Sequence, residues 1–131
     1  MDARREEMHW RAPKGILASD RSRLLAIKLL HSIAWLFFAG CIVVLPVLGA
    51  LRLFRWAAIA IGAVLLECAV LSANRWRCPL TDWAARYARD RSPNFDIFLP
   101  RWLAEHNKTI FGILFVLNGL IVLGEWIYLT R

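Results

Sequence analysis

Residues 29–51 read LLHSIAWLFFAGCIVVLPVLGAL, a run of 23 residues without a single Asp, Glu, Lys or Arg. An α-helix of that length is about 35 Å long, which is enough to cross a hydrocarbon core of about 30 Å with some tilt. Two further apolar runs follow, residues 56–74 with Glu67 as the one charge and residues 109–130 with Glu125. Because a bilayer core offers backbone groups no water, each run is predicted to be helical.

The whole chain has the composition of a membrane protein, since 59% of its 131 residues are apolar. An average soluble domain has about 45–50%. A soluble bundle helix would carry a polar stripe, which residues 37–51 lack. A cleaved signal peptide would begin earlier and have a shorter apolar core. The predicted fold is therefore an all-α integral membrane protein with three transmembrane helices: a polar N-terminal arm, residues 1–23, and a single membrane domain, residues 24–131.

The chain has a net charge of +7, and its basic residues are distributed unevenly along the sequence. Lys and Arg together number 7 before the first span, 2 between the first and second, 7 between the second and third, and 1 after the third. Basic segments stay on the cytoplasmic side of a membrane. The distribution predicts a cytoplasmic N-terminus and a C-terminus outside. It also favours contact with anionic lipids over nucleic acid as the use of the positive charge.

The segment between the second and third spans, residues 81–103, is predicted to lie on the inner membrane surface. Pro79 ends the second helix, and Thr81 is placed to cap a new one. Apolar and polar side chains then fall on different sides over residues 83–91, as in an interfacial amphipathic helix. The predicted contacts with anionic headgroups are Arg75, Arg77, Arg86 and Arg89.

Two polar side chains inside the spans are candidates for ligand binding. A carboxylate in a span costs a few kcal/mol unless it is paired, protonated or hydrated, which makes Glu67 a functional candidate. The alternative is a protonated Glu67 that joins helices through the face it shares with Ala60 and Asn74. His31 lies at a similar depth, so a His31–Glu67 pair is feasible; the alternative is a histidine that faces headgroups.

Cys78 and Asn118 complete the candidate set. Cys78 lies at the membrane boundary beside positive charge, which makes a thiol reactive, so it is a candidate ligand, palmitoylation site or redox thiol. The alternative is a packed cysteine in a turn. Asn118 is predicted to form an interhelical hydrogen bond. The three cysteines show no metal-site or disulfide spacing, and a bis-imidazole haem site would need His31 together with His106.

The hexad Trp76-Arg77-Cys78-Pro79-Leu80-Thr81 resembles the signature of a bacterial family of small membrane proteins that carry a domain of unknown function. Its members have Leu-Leu-His at the start of the first span, Trp-x-Cys-Pro-Leu-Thr at the end of the second, and Leu-Pro in an interfacial segment. The matching residues outside the hexad are Leu29, Leu30, His31, Leu99 and Pro100. The resemblance implies three spans in a bacterial inner (plasma) membrane and points to His31 and Cys78, without implying an activity.

Three functions follow as hypotheses. The first is a non-enzymatic accessory or assembly subunit of a membrane complex, or a homo-oligomer, because the chain is small and its spans carry faces of small residues. The second is a membrane redox or ligand-binding protein that uses His31, Glu67 and Cys78 to hold haem, a metal or quinone. The third is an enzyme that acts on lipid at the basic inner face. The sequence contains no nucleophile elbow, P-loop, dinucleotide fingerprint or H-E-x-x-H motif, so no familiar enzyme class is indicated.

Overall fold

The computed structural model describes residues 18–131, which form four α-helices and no strand. They are α1 (Ala18–Ala50), α2 (Phe54–Ala73), α3 (Pro79–Ala84) and α4 (Arg101–Thr130). Three of them, α1, α2 and α4, are long and apolar enough to cross a membrane. The predicted all-α fold with three spans is thereby confirmed. Of the predicted N-terminal arm, residues 1–17 lie outside the described residues, and residues 18–23 are the beginning of α1.

Two of the long helices extend beyond the predicted spans, both at the same end of the bundle. α1 begins at Ala18 rather than at residue 29, and α4 begins at Arg101 rather than at residue 109. The added turns carry charged side chains, so hydropathy places them outside the bilayer. Their backbone is nevertheless helical. Pro100 directly precedes the first turn of α4. A proline is tolerated there because the first N–H groups of a helix have no intrahelical acceptor.

A short turn reverses the chain between α1 and α2. The N–H of Arg52 donates to the carbonyl of Gly49, and the N–H of Leu53 donates to the carbonyl of Leu48, each at 2.8 Å. These two bonds form a Schellman helix end, which requires a left-handed residue, and Arg52 has φ of 58°. A left-handed non-glycine residue costs about 1–2 kcal/mol. The two hydrogen bonds offset that cost and set α2 antiparallel to α1.

The central helix is α1, which packs against both α2 and α4. At the end of the bundle that holds the α1–α2 turn, a buried cluster joins the three helices: Leu45 from α1, Ala57 and Ala60 from α2, and Val122 from α4. The two alanines allow close approach of the helix backbones. Larger side chains replace them toward the other end, where the helices leave a cavity between them.

We call that other end the basic end; it holds the start of α1, the end of α2, α3 and the start of α4. Tryptophan side chains mark both ends, with Trp56 and Trp126 at one and Trp76 and Trp102 at the other, all at least 49% exposed. Between them the outer faces of the three long helices expose leucine, isoleucine, valine and phenylalanine. A water-soluble monomer rarely exposes so much apolar surface. Lipid-facing sides with interfacial indole rings account for this distribution.

The connection between α2 and α4 differs from the predicted interfacial helix over residues 83–91. Its helix, α3, has Cys78 as the N-cap residue, begins at Pro79 and ends at Ala84; residues 85–100 form turns and irregular structure. The amphipathic helix is therefore not present at the predicted position. Thr81 is inside α3 rather than at its cap.

Local hydrogen bonds explain why the helix does not continue. After Ala84 the backbone forms tighter bonds, from the N–H of Arg86 to Trp83 and from the N–H of Tyr87 to Ala84, each spanning three residues. Asp90 then accepts hydrogen bonds from both the N–H and the hydroxyl of Ser92, at 2.9 Å each. Such side-chain bonds to neighbouring backbone compete with helix formation.

Candidate functional site

A cavity of about 560 Å³ lies at the basic end, between α1, α2, α4 and the α2–α4 connection. His31, Cys78, Thr81 and Asp96 line its polar end. Its apolar end is lined by Phe38, Ile42, Val64, Leu71, Phe111 and Phe115. His31 and Ile42 are about 16 Å apart along α1, so the cavity is elongated along the helix. Its volume lies within the range of about 300–1,000 Å³ that is typical of small-molecule sites.

The polar end is organised around a His31–Asp96 pair. His31 Nδ1 lies 3.0 Å from the Asp96 carboxylate Oδ2 and 3.2 Å from the Asp96 backbone carbonyl. Both partners of Nδ1 are acceptors, so Nδ1 carries a proton and donates it. This arrangement fixes the orientation of the imidazole ring and leaves Nε2 for another partner.

Asp96 is 4% exposed and is the buried charged residue of the described core. Besides the imidazole, the Thr81 hydroxyl donates a hydrogen bond to the same carboxylate oxygen. Burial alone would raise the pKa of the Asp96 carboxyl, but the hydrogen bonds from His31 and Thr81 outweigh burial and lower this pKa below its ordinary value. Asp96 is therefore held as a carboxylate.

The segment that carries Asp96 is anchored to α1 directly after the carboxylate. The N–H of Phe98 donates to Ser32 Oγ at 2.8 Å, and Ile97 is buried. The Lys28 ammonium lies 4.7 Å from the centre of the Phe98 ring, a cation–π distance. The aromatic and apolar residues around Asp96 thus hold an otherwise irregular segment against the bundle, which places the carboxylate beside His31.

Cys78 reaches the same site through the turn that ends α2. Arg75 and Trp76 adopt left-handed conformations with φ of 57° and 61°, and the Asn74 side chain donates to the Arg77 carbonyl at 2.8 Å. This turn directs the chain back across the bundle before α3. The Cys78 side chain is half-buried and lines the same cavity as the His31 imidazole, close enough for the two to interact electrostatically.

Other polar groups line the cavity around these residues. The Trp35 indole N–H donates to Asn107 Oδ1 at 2.7 Å, linking α1 to α4. The Lys108 ammonium donates to the Trp76 carbonyl and so joins α4 to the turn after α2. Glu67 lines the cavity from α2. Charges of both signs therefore line the cavity, and Glu67 lies within the otherwise apolar lining that extends toward the centre of the bundle.

The structure places the predicted residues as follows. The carboxylate beside His31 is Asp96 rather than Glu67, although Glu67 lines the same cavity. Asn118 lies outside that cavity and donates to the Ile42 carbonyl at 2.9 Å, the interhelical hydrogen bond expected from the sequence. His106 is exposed and hydrogen-bonds to Trp102, away from the cavity lining. The four predicted lipid contacts are all exposed at the basic end: Arg75, Arg77, Arg86 and Arg89.

Sequence reasoning missed Asp96, although the sequence held a signal for it. Residues 95–99 read FDIFL, and an acidic residue enclosed by large apolar side chains is costly to bury unless it is paired. Such a residue should have been treated as a candidate partner for His31. Asp96 is 65 positions from His31 in the chain, so local sequence pattern does not indicate that the two pair.

Among residues 18–131, no group of three or more His, Cys, Asp or Glu side chains is arranged to hold a metal ion. The chain was also compared with protein-family models, curated proteins and solved structures, and none of them matches it. The resemblance to a bacterial membrane-protein family therefore stays a prediction, and the cavity provides the main basis for a functional proposal.

Proposed function

We propose that this protein binds a small amphipathic molecule in the cavity at the basic end. Its polar head would lie at His31, Cys78 and Asp96, and its apolar tail between α1, α2 and α4. The observation that carries the proposal is the cavity itself, about 560 Å³ in volume, with a fixed hydrogen-bonding group at one end and aromatic and aliphatic side chains at the other. A carbonyl-bearing head suits this end, because the thiol of Cys78 and the ammonium of Lys108 can donate hydrogen bonds to a carbonyl oxygen.

Quinones and long-chain acyl compounds share this chemistry of a carbonyl head and a hydrocarbon tail. Quinone binding was one form of the ligand-binding hypothesis from the sequence. The role of an accessory or assembly subunit also stays a prediction. The small-residue face that suggested it packs within the chain at Ala60 of α2, which is buried in the cluster with Leu45 and Val122. That face therefore supplies no argument for a partner, and ligand binding is the better supported proposal.

Gly112 offers a direct way to fill the cavity. It lines the cavity from α4, and a side chain added there would meet no atom within 4 Å, so Gly112→Phe should project a ring into the space without displacing the fold. Gly119 provides the matched control. It is about two turns further along the same face of α4, has the same open surroundings, and does not line the cavity.

The test uses the full chain in vesicles of phosphatidylethanolamine and phosphatidylglycerol. One arm measures crosslinking of a photoactivatable palmitic acid, and the other measures quenching of tryptophan fluorescence by decylubiquinone, because Trp35 and Trp76 line the cavity. We expect one of the two probes to bind the wild type and Gly119→Phe, with at least a tenfold loss of affinity in Gly112→Phe. Binding of neither probe, or equal binding by both variants, would contradict the proposal.

For the membrane itself we propose a bacterial inner membrane, with the basic end on the cytoplasmic side. Ten described basic residues support this orientation, against three at the opposite end. Maleimide labelling of single-cysteine variants in a background free of the native cysteines tests it. Thr130→Cys should react with a membrane-impermeant maleimide in intact cells, and Ser92→Cys should react only after permeabilisation. The reverse pattern would refute the orientation.

A further inference from the structure

Three side chains at the polar end of the cavity stand in the order of a thiol nucleophile, its base and a positioning carboxylate. Asp96 accepts a hydrogen bond from His31 Nδ1 at 3.0 Å, and Cys78 lines the same cavity as this imidazole. With Nδ1 holding its proton toward Asp96, Nε2 is the nitrogen that can accept a proton from the thiol. The Thr81 hydroxyl donates a second hydrogen bond to the same carboxylate oxygen. The residues come from α1, from the turn after α2, and from the α2–α4 connection.

We propose that Cys78 is a nucleophile that accepts a long-chain acyl group from an acyl thioester bound in this cavity. The inference rests on the proposed binding of a carbonyl-headed amphiphile and names its substrate class. The Cys78 sulfur attacks the carbonyl carbon, and the thiol proton passes to His31 Nε2. The carbon–sulfur bond of the donor then breaks, and its leaving thiolate takes the proton from His31. The products are an S-acyl Cys78 and the free thiol of the donor, so atoms and charge balance and no oxidant or reductant is needed.

The shape of the cavity favours an acyl donor over a small polar electrophile. Its lining includes Cys78 and extends along α1 toward Ile42, with Val64 and Phe115 among the apolar residues. A hydrocarbon chain in that space would bring its carbonyl carbon to the thiol, and holding the two reactants together supplies much of the rate advantage of such a reaction. Cys68 also lines the cavity, from the interior of α2. It is therefore an internal control for nonspecific thiol chemistry.

The experiment incubates the purified full chain, in mild detergent, with palmitoyl-coenzyme A. Intact-protein mass spectrometry follows the gain of one acyl group that hydroxylamine removes, and peptide mapping locates it. We expect acylation of Cys78 in the wild type and in Cys68→Ser, and none at that position in Cys78→Ser. His31→Gln should slow the reaction about 100-fold or more, since a positioned base contributes about 10²–10⁴. Acylation of Cys68 at the rate of Cys78, or an unchanged rate in His31→Gln, would overturn the proposal.

Asp96 is tested as a positioning residue by separating binding from rate. Asp96→Asn should retain crosslinking of photoactivatable palmitic acid. Its rate of acylation should fall about tenfold or more, because a base that is no longer oriented loses part of its rate contribution. Asp96→Glu should recover part of that rate. Loss of both readouts together, without recovery in Asp96→Glu, would contradict the positioning role.

A cavity-filling variant keeps the proposal testable if the site variants do not fold. Gly112→Phe should slow acylation of Cys78 by palmitoyl-coenzyme A and leave its alkylation by iodoacetamide, a much smaller reagent, unchanged. Equal rates of acylation in Gly112→Phe and Gly119→Phe would overturn the inference. Absence of acylation together with normal crosslinking of palmitic acid would overturn the acyl-transfer step alone, whereas absence of both would overturn the binding proposal as well.

Discussion

Replacement of Asp96 by alanine removes the group that joins the α2–α4 connection to α1. The carboxylate accepts one side-chain hydrogen bond from His31 and one from Thr81, and only 4% of the residue is exposed. A hydrogen bond to a charged group contributes about 1.5–3 kcal/mol, so the two bonds together contribute about 3–6 kcal/mol. Alanine also relieves the cost of burying the carboxylate, which places the expected loss near the lower value, about 3 kcal/mol.

Two other variants calibrate this loss. Thr81→Val removes one of the two bonds and keeps the shape of the side chain, so it should cost about 1.5 kcal/mol or more. Asp90→Ala is the control on the same connection, because the Asp90 carboxylate is exposed and bonds only to neighbouring residues. Asp90→Ala should leave the stability of the bundle unchanged within experimental error.

The assay is reversible unfolding of the full chain in mixed micelles of dodecyl maltoside and sodium dodecyl sulfate, followed by circular dichroism. Limited trypsin digestion provides a local readout, since Arg86, Arg89 and Arg91 lie on the connection that Asp96 anchors. Asp96→Ala should be cleaved there faster than the wild type and Asp90→Ala. A loss below about 1 kcal/mol, with trypsin cleavage as slow as in the wild type, would refute the anchoring role of Asp96.

Further predictions concern pH and the contacts between helices. The lowered pKa of Asp96 contributes stability above the ordinary pKa of about 3.9, and this contribution is lost as pH falls through the lower folded-state value. Acid titration of unfolding should therefore show a loss of stability below about pH 3.9 that is absent in Asp96→Asn. Asn118→Leu should cost about 0.6 kcal/mol, and at most about 1.7, by removing the bond to the Ile42 carbonyl. Trp35→Phe should cost about 1 kcal/mol by removing the bond to Asn107, measured by the same unfolding assay.

The long helices could be predicted from the sequence because a bilayer imposes a simple requirement. An uncharged run of about 20 residues must be helical to cross it, and the run that ends at Leu51 satisfies this without reference to any other part of the chain. The helix starts at Ala18 and Arg101 could not be predicted in the same way. The charged turns there are outside the apolar runs, so hydropathy does not separate a continuing helix from a loop.

The candidate site could be predicted only in part. His31 and Cys78 stood out because each is an unusual side chain at the edge of an apolar run, and both line the cavity. Their carboxylate partner depended on how the irregular segment around Asp96 folds back on α1. That path is set by tertiary contacts such as the bond from Phe98 to Ser32, which local sequence pattern does not encode. Glu67, the carboxylate inside a span whose depth matches that of His31, lines the same cavity, but the carboxylate that pairs with His31 is Asp96.

The prediction of an interfacial helix over residues 83–91 was wrong for a related reason. Periodicity over residues 83–91 suits an amphipathic helix, but the backbone leaves helical geometry after Ala84, and Asp90 and Ser92 form a local turn further along. Thr81 was assigned to a helix cap on the strength of its residue type, whereas its hydroxyl donates to Asp96. Local sequence pattern does not predict which partner a polar side chain takes when one partner is nearby in the chain and the other is distant.

Native mass spectrometry of the protein released from its own membranes in mild detergent tests the central claim most directly, because it detects what occupies the cavity without a chosen probe. The wild type and Gly119→Phe should each retain one amphipathic molecule whose fragmentation shows a carbonyl-bearing head and a hydrocarbon tail, and Gly112→Phe should have lost it. A wild-type protein that carries no such molecule, or a Gly112→Phe variant that carries as much as Gly119→Phe, would contradict ligand binding in the cavity at the basic end.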